Sequence, residues 1–210
     1  MSDIVEPDHE RRQCASIVDI AREAGVAQVV SSTSLGVSMF ANPEHLKPGS
    51  LLYDLFVVKK AIEDMIANAG FSSYTRLRPA YFMINLLQPN INNYAELISD
   101  GVWSTSLTAD SQLGLIDHED IARIAAAAFE NPDADKFKGQ ALGLVSEFLT
   151  PQETMDVKGS VMGCPFRPTF SPKKRLLLSL MAQWYLSSWT SVCATCLTTW
   201  IWKSCERLPP

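Results

Sequence analysis

The sequence predicts an α/β fold, a mostly parallel sheet covered by helices, and three observations carry that expectation. Helix-like and strand-like segments alternate from residue 9 to about residue 147, the order that β-α units produce. The strand-like runs are short, β-branched and closed by hydroxyl, Gly or Pro residues, whereas the helix-like runs place apolar residues three and four apart. With 47 % apolar residues, the 210-residue chain can bury one ordinary core, or one domain with an appendage.

The elements follow in order. Residues 9–25 (HERRQCASIVDIAREAG) set Ile17, Ile20, Ala21 and Ala24 at helical spacing and stop at Gly25, a residue suited to a helix C-terminus. The run VAQVVSSTS (26–34) reads as a strand and its exit loop, and MFANPEHLKPGS, with two prolines and a glycine, reads as loop. A second helix is expected from about Leu51 to Ala69, with Ile62, Met65 and Ile66 on one face and Gly70 closing it. YTRLRPA (74–80) is strand-like as far as Pro79, which cannot donate to a ladder and so marks the exit. VWSTSLTAD and GLIDHED bracket a polar region. IARIAAAAFENP (121–132) then reads as a strong helix, with Asp117 and Asp120 at its start and Pro132 past its end. KGQALGLVSE (138–147) reads as another strand. In FLTPQETMD, Thr150 is the expected N-cap, Pro151 the first helical residue and Glu153 the partner three residues on.

After Asp156 the character changes. Residues 176–202 carry no charge and are rich in Ser, Thr, Trp and Cys, with Lys173-Lys174-Arg175 before them and Lys203 after. Three readings stand for this tail: sequence foreign to the fold, an added buried helix, or a membrane anchor, the last weakened by hydroxyl and Gln residues throughout. Cys193 and Cys196 form a C-x-x-C in this uncharged run with no His after it, which is better read as chance than as a metal or redox pair. His9, His45 and His118 lack metal-ligand spacing, and no metal is expected. A net charge of −5 argues against a nucleic-acid partner. The acidic, polar opening MSDIVEPDHERR has no signal-peptide pattern, so a reducing, cytoplasmic setting is expected.

In an open parallel sheet, ligands bind beyond the carboxyl ends of the strands. Two segments fall there: Ser31-Ser32-Thr33-Ser34, and Pro79-Ala80-Tyr81-Phe82-Met83. The helix between them carries Lys59 and Lys60. A lysine at such a rim can donate to ribose hydroxyls and, as a cation, lower the pKa of a nearby acid. Aromatic residues there can wall a nicotinamide ring and exclude water. Arg78 is read as structural, paired with an acid near the strand end.

Read together, these segments resemble the NmrA-like family of atypical short-chain dehydrogenase/reductase proteins. The matching residues are E-x-x-Q at Glu10 and Gln13, AREAGV (21–26), VVSSTSLG (29–36), and K-x-x-x-E at Lys59 and Glu63. The G-x-x-x-x-T-x-L-R-P-A-x-F-M-x-N run from Gly70 to Asn85 and the D-x-x-D-I-A block at 117–122 complete the set, which covers about residues 9–155. The resemblance implies a Rossmann-type parallel sheet with flanking helices. It also implies a cofactor-contacting lysine at Lys59, a nicotinamide-lining segment at Tyr81, Phe82, Met83, Ile84 and Asn85, and substrate-facing residues at Ser31 and Ser32. The cofactor implied is NADP, and the substrate a small carbonyl, imine or enone, with a secondary-metabolite pathway as the setting. The alternatives are a non-catalytic NADP-sensing regulator with a protein partner, and an inactive fragment; the oligomeric state is left open, with an exposed sheet edge making a homo-oligomer plausible.

Two departures bear on that expectation. Short-chain dehydrogenases with a catalytic tyrosine place it four residues before this lysine, where the present chain has Leu55; Tyr53 is two residues off, on the wrong side of a helix. The chain also contains no G-x-x-G-x-x-G fingerprint. The expectation is therefore residues 1–157 as a partial NAD(P)-binding domain lacking its N-terminal glycine-rich half, and 158–210 as an irregular or helical tail.

Overall fold

The structure is a computed structural model that describes residues 7–41, 48–49 and 51–171, and the chain divides into two compact units. Among described residues, the first unit holds those up to Ala80 and Glu119–Leu144, and the second holds Tyr81–His118 and 145–171.

The first unit is built on a parallel sheet in the order β1-β2-β6, formed by β1 (Gln28–Ser32), β2 (Ser73–Pro79) and β6 (Ala141–Leu144). Helices α1 (Pro7–Glu23) and α2 (Leu51–Asn68) pack on one face, where Val18, Val29, Val58, Ile62 and Ile66 form the core. Complete burial of one such aliphatic side chain is worth roughly 1.5–3 kcal/mol. Both helices stop at glycines with left-handed backbones, Gly25 at φ 72° and Gly70 at φ 81°, where a side chain would add strain. The other face is tied to α4 (His118–Glu130) and the turn after it. Gln28 Nε2 donates to the Ala128 carbonyl at 2.8 Å, Ser73 Oγ to Pro132 at 2.6 Å and Thr75 Oγ1 to Phe137 at 2.9 Å. These polar strand residues close the carbonyls of a helix end, which explains why a buried strand face carries hydroxyls.

The α/β expectation, with a parallel sheet and flanking helices, agrees with this unit. One local difference concerns residues 39–41, expected as loop. They belong to a 3-10 segment, Leu35–Ala41, whose Val37 is buried. Gly36 permits this packing: a Cβ there would lie 2.1 Å from the Phe56 ring of α2.

The second unit holds two smaller sheets. In one, β3 (Tyr81–Phe82) runs parallel to β5 (Leu113–Ile116), which pairs antiparallel with β7 (Glu147–Leu149). In the other, β4 (Val102–Thr105) runs parallel to β8 (Arg167–Phe170). The core joins Leu86, Ile91, Leu97, Trp103 and Met155, drawn from turns, the short α3 (Ala95–Ser99), β4 and α5 (Pro151–Met162). Thr150 caps α5 as its sequence predicts: Thr150 Oγ1 accepts from the Glu153 amide, and Glu153 Oε2 accepts from the Thr150 amide at 2.7 Å. Residue 157, the expected edge of the tail, lies inside α5. The uncharged run 176–202, with Cys193, Cys196 and the three readings of the tail, lies outside the described residues. No described helix is long and apolar enough to cross a membrane.

Candidate functional site

In the first unit Ser31 and Lys59 lie on the side of the sheet that carries α1 and α2, and Ser32 does not. Side chains alternate along β1, so Ser31 shares the face of Val29, and Val29 packs on the two helices. Ser31 is 3 % exposed, and its Oγ has no hydrogen-bond partner among the described residues. Ser32, the next residue, points to the opposite face and is exposed. The two serines expected to face one substrate therefore do not form a single surface.

Lys59 stands on α2, with its Nζ donating to Glu10 of α1. The side chains are only 20 % and 11 % exposed, so the pair is far less hydrated than a surface ion pair. Both members belong to motifs quoted above, E-x-x-Q and K-x-x-x-E. Cys14, one turn after Glu10, lies against this pair. Burial, and then the Glu10 charge, push its thiol up to about 11, with Lys59 opposing. Lys60 points elsewhere and binds Asp64 on its own helix at 2.5 Å. Leu55 occupies the position of the catalytic tyrosine, while the Tyr53 ring packs edge-on against Phe40, centroids 5.7 Å apart.

One turn beyond Lys59 is the group that organises this region. Glu63 has no exposed surface. Its carboxylate accepts from Thr33 Oγ1 at 2.6 Å, from Arg78 Nη2 at 2.6 Å and from Arg78 Nε at 3.0 Å, with Arg76 Nη1 4.0 Å away. Arg78 thus has the acid partner expected of it, and its Nη1 also reaches Ser38 Oγ at 3.2 Å. Arg76 sits in register with Ser31 across β1–β2, lies over the Tyr74 ring and donates to the Gly139 carbonyl. Its Nε has no partner among the described residues. Sequence reasoning missed Thr33 and Arg76 as members of this cluster and used Glu63 only as a motif letter. The available signal was an acid on α2 opposite two arginines at alternate positions of one strand.

The Tyr81–Asn85 segment opens the second unit. Tyr81 and Phe82 form β3, and Met83–Leu86 is a 3-10 turn. The Tyr81 hydroxyl bonds that of Tyr94. Burial, with the Tyr94 neighbour adding to it, holds the Tyr81 hydroxyl well above the usual tyrosine value; burial also raises Tyr94. Neither phenol is therefore poised to ionise near neutral pH. Asn85 is 3 % exposed, with an Nδ2 that has no partner among the described residues. Lys158 of α5 donates to the Leu86 carbonyl at 3.0 Å and fixes the end of this turn.

In the first unit the buried Ser31 Oγ, without a partner among the described residues, fits a polar group of a bound ligand; in the second unit, taken by itself, the same holds for the buried Asn85 Nδ2. The family model described as the NmrA-like family matches residues 3–194. No curated protein sequence matches the chain. Similar solved structures include a nucleoside-diphosphate-sugar epimerase from Staphylococcus aureus, 17 % identical at a TM-score of 0.62, with 88 % of this chain and 63 % of that one covered. NmrA, a negative transcriptional regulator in complex with NADP, is 17 % identical at a TM-score of 0.58, covering 82 % and 53 %. The triphenylmethane reductase of Citrobacter sp., complexed with NADP(H), is 18 % identical at 0.56, covering 81 % and 54 %. The chain thus spans between 53 % and 63 % of the length of these structures. At such identities the likeness concerns the fold.

Proposed function

The chain belongs to the NmrA-like family, and from that premise we propose that it is an NADP-dependent oxidoreductase acting on a small carbonyl, imine or enone. The observation that carries this reading is the placement of Ser31 and Lys59. A buried hydroxyl without a partner and a half-buried lysine belong to the same helix-covered face of a parallel sheet, next to the strand ends. The nicotinamide supplies or accepts the hydride. Lys59 Nζ donates to ribose hydroxyls, and its exchange between Glu10 and the ribose keeps the ammonium paired in both states. Ser31 Oγ donates to the substrate oxygen, which removes the cost of leaving that hydroxyl unpaired. By the family resemblance Tyr81, Phe82, Met83, Ile84 and Asn85 of the second unit are the ring-lining segment; apolar and aromatic side chains suit the exclusion of water, and the buried Asn85 Nδ2, without a partner among the described residues, is a donor.

A second reading has a specific observation behind it. Leu55 stands where a catalytic tyrosine would be, and nothing else on the described part of α2 offers a phenol on that face. A protein that binds NADP without turnover, and changes protein partners on binding, needs the lysine and the ring wall but not the acid.

Calorimetry of NADPH binding to the full chain, alongside Lys59→Met and Ser31→Ala, tests both readings. Lys59→Met is expected to weaken binding about tenfold, the worth of one charge-assisted hydrogen bond. Ser31→Ala is expected to leave binding intact and to lower NADPH consumption across a carbonyl panel. Binding without consumption of NADPH by the wild-type chain assigns the sensor; absence of binding removes both readings.

A further inference from the structure

We propose that Glu63 is a positioning residue, whose buried carboxylate sets the place of Lys59 relative to the loop after β1 and the exit of β2. The functional consequence rests on the reading above. Three chain segments meet at this one carboxylate. Glu63 itself is on α2; Thr33 belongs to the loop that follows Ser31 and Ser32; Arg78 is the last residue before the Pro79 that ends β2. Each partner is anchored in turn. The Thr33 amide donates to the Leu77 carbonyl at 2.8 Å, and Arg78 reaches Ser38. Lys59 lies four residues before Glu63 and therefore on the same side of α2.

A buried ion pair is a poor way to gain stability, because well-packed apolar residues of similar volume do as well or better. What the carboxylate adds is directional. Three bonds from one guanidinium and one from a hydroxyl leave α2 a single seat against both strand ends, whereas an apolar contact would let the helix slide. A helix displacement of even part of an ångström at Glu63 carries Lys59 with it and breaks the lysine's alignment between Glu10 and the ribose.

The test combines a readout that needs no nucleotide with one that does. Acylation of Lys59 by an amine-reactive reagent, measured by mass spectrometry against Lys60 as the internal reference, follows the seating of α2 in the free full-length chain. In Glu63→Gln the Lys59:Lys60 rate ratio is expected to rise about fivefold, and in the isosteric Thr33→Val, which keeps the arginine pair, about threefold. NADPH affinity is expected to fall about tenfold in Glu63→Gln, and by less than about twofold when the same change is made in Lys59→Met, since the effect runs through the lysine. A role confined to stability lowers the unfolding midpoint without altering the ratio or showing that dependence on Lys59. An unchanged ratio in folded Glu63→Gln, or in Thr33→Val where Glu63→Gln does not fold, overturns the proposal. A wild-type chain that binds no NADPH overturns the proposed function, and the acylation ratio then decides the role of Glu63 on its own.

Discussion

A carboxylate without exposed surface stays ionised only where donors replace the water it has lost. Glu63 accepts four such bonds, three of them from Arg78, whose Nε reaches both carboxylate oxygens, so the cost of removing that partner is the cost of a stranded charge rather than of one hydrogen bond. Arg78→Met keeps much of the volume and removes the guanidinium. It is expected to cost roughly 3–5 kcal/mol in denaturant unfolding, several times the effect of an exposed pair such as Lys138–Asp133. The role of Arg78 was legible in the sequence because an arginine at a buried strand end needs an acid; which acid was not, since the partner is fifteen residues away on another element. Cys14 gives a second outcome at this scale. Its thiol, pushed up to about 11 from its ordinary value of 9.0, holds its proton more tightly in the folded chain than in the unfolded one. The contribution to stability is complete below pH 9 and is lost as the pH rises towards 11. Thiol labelling of native protein at Cys14 is therefore expected to be slow at neutral pH, with exposed Cys164 reacting first.

At the scale of elements, the segments that were readable are those whose signals are local. Thr150, Pro151 and Glu153 specify the start of α5 through bonds made within four residues, and α5 begins where they place it. Thr150→Ala removes the hydroxyl half of the capping box, and with it the hydroxyl's bond to the Glu153 carboxylate, while the backbone amide still donates to Glu153; it is expected to cost about 1 kcal/mol in equilibrium unfolding. The Glu153 carboxyl is held below its usual range by the Thr150 amide and then by the Thr150 hydroxyl. A carboxyl with a depressed folded-state pKa stabilises above its unfolded value and loses that effect as the pH falls through the folded one. The part of the Thr150→Ala penalty carried by the hydroxyl's bond to the carboxylate should accordingly shrink in acid, and a penalty independent of pH would argue against that bond. By contrast, β3, β7 and β8 are two to four residues long and carry no alternation of their own. They exist because β5 and β4 lie beside them, and such pairing leaves no mark in a short window. The same holds for Leu35–Ala41, where the decisive contact is Phe56 of α2 against Gly36.

For the molecule as a whole, the α/β alternation up to residue 147 was enough to predict the parallel sheet, because β1, β2 and β6 are each separated by helical sequence long enough to cross over. The division into two units was not, since both continue the same alternation and the second returns to its own sheets through residues far apart in sequence. Each unit has a separate apolar cluster: Ile66 is 1 % exposed in the first and Leu97 1 % exposed in the second, and the clusters share no residue. Truncating either side chain to alanine is expected to cost roughly 2–5 kcal/mol, according to how far its surroundings relax. Because no side chain belongs to both clusters, the costs should add. The double variant Ile66→Ala/Leu97→Ala is expected to lose the sum of the single losses within about 0.5 kcal/mol, measured by denaturant unfolding with far-UV dichroism for both units and, in a background whose other four tryptophans are replaced by phenylalanine, Trp103 fluorescence for the second. If the two probes separate into distinct transitions, each single change should shift only its own transition, and the comparison is then made transition by transition. A coupling larger than that margin would mean that the two cores answer to a shared packing arrangement, and would overturn their description as independent clusters.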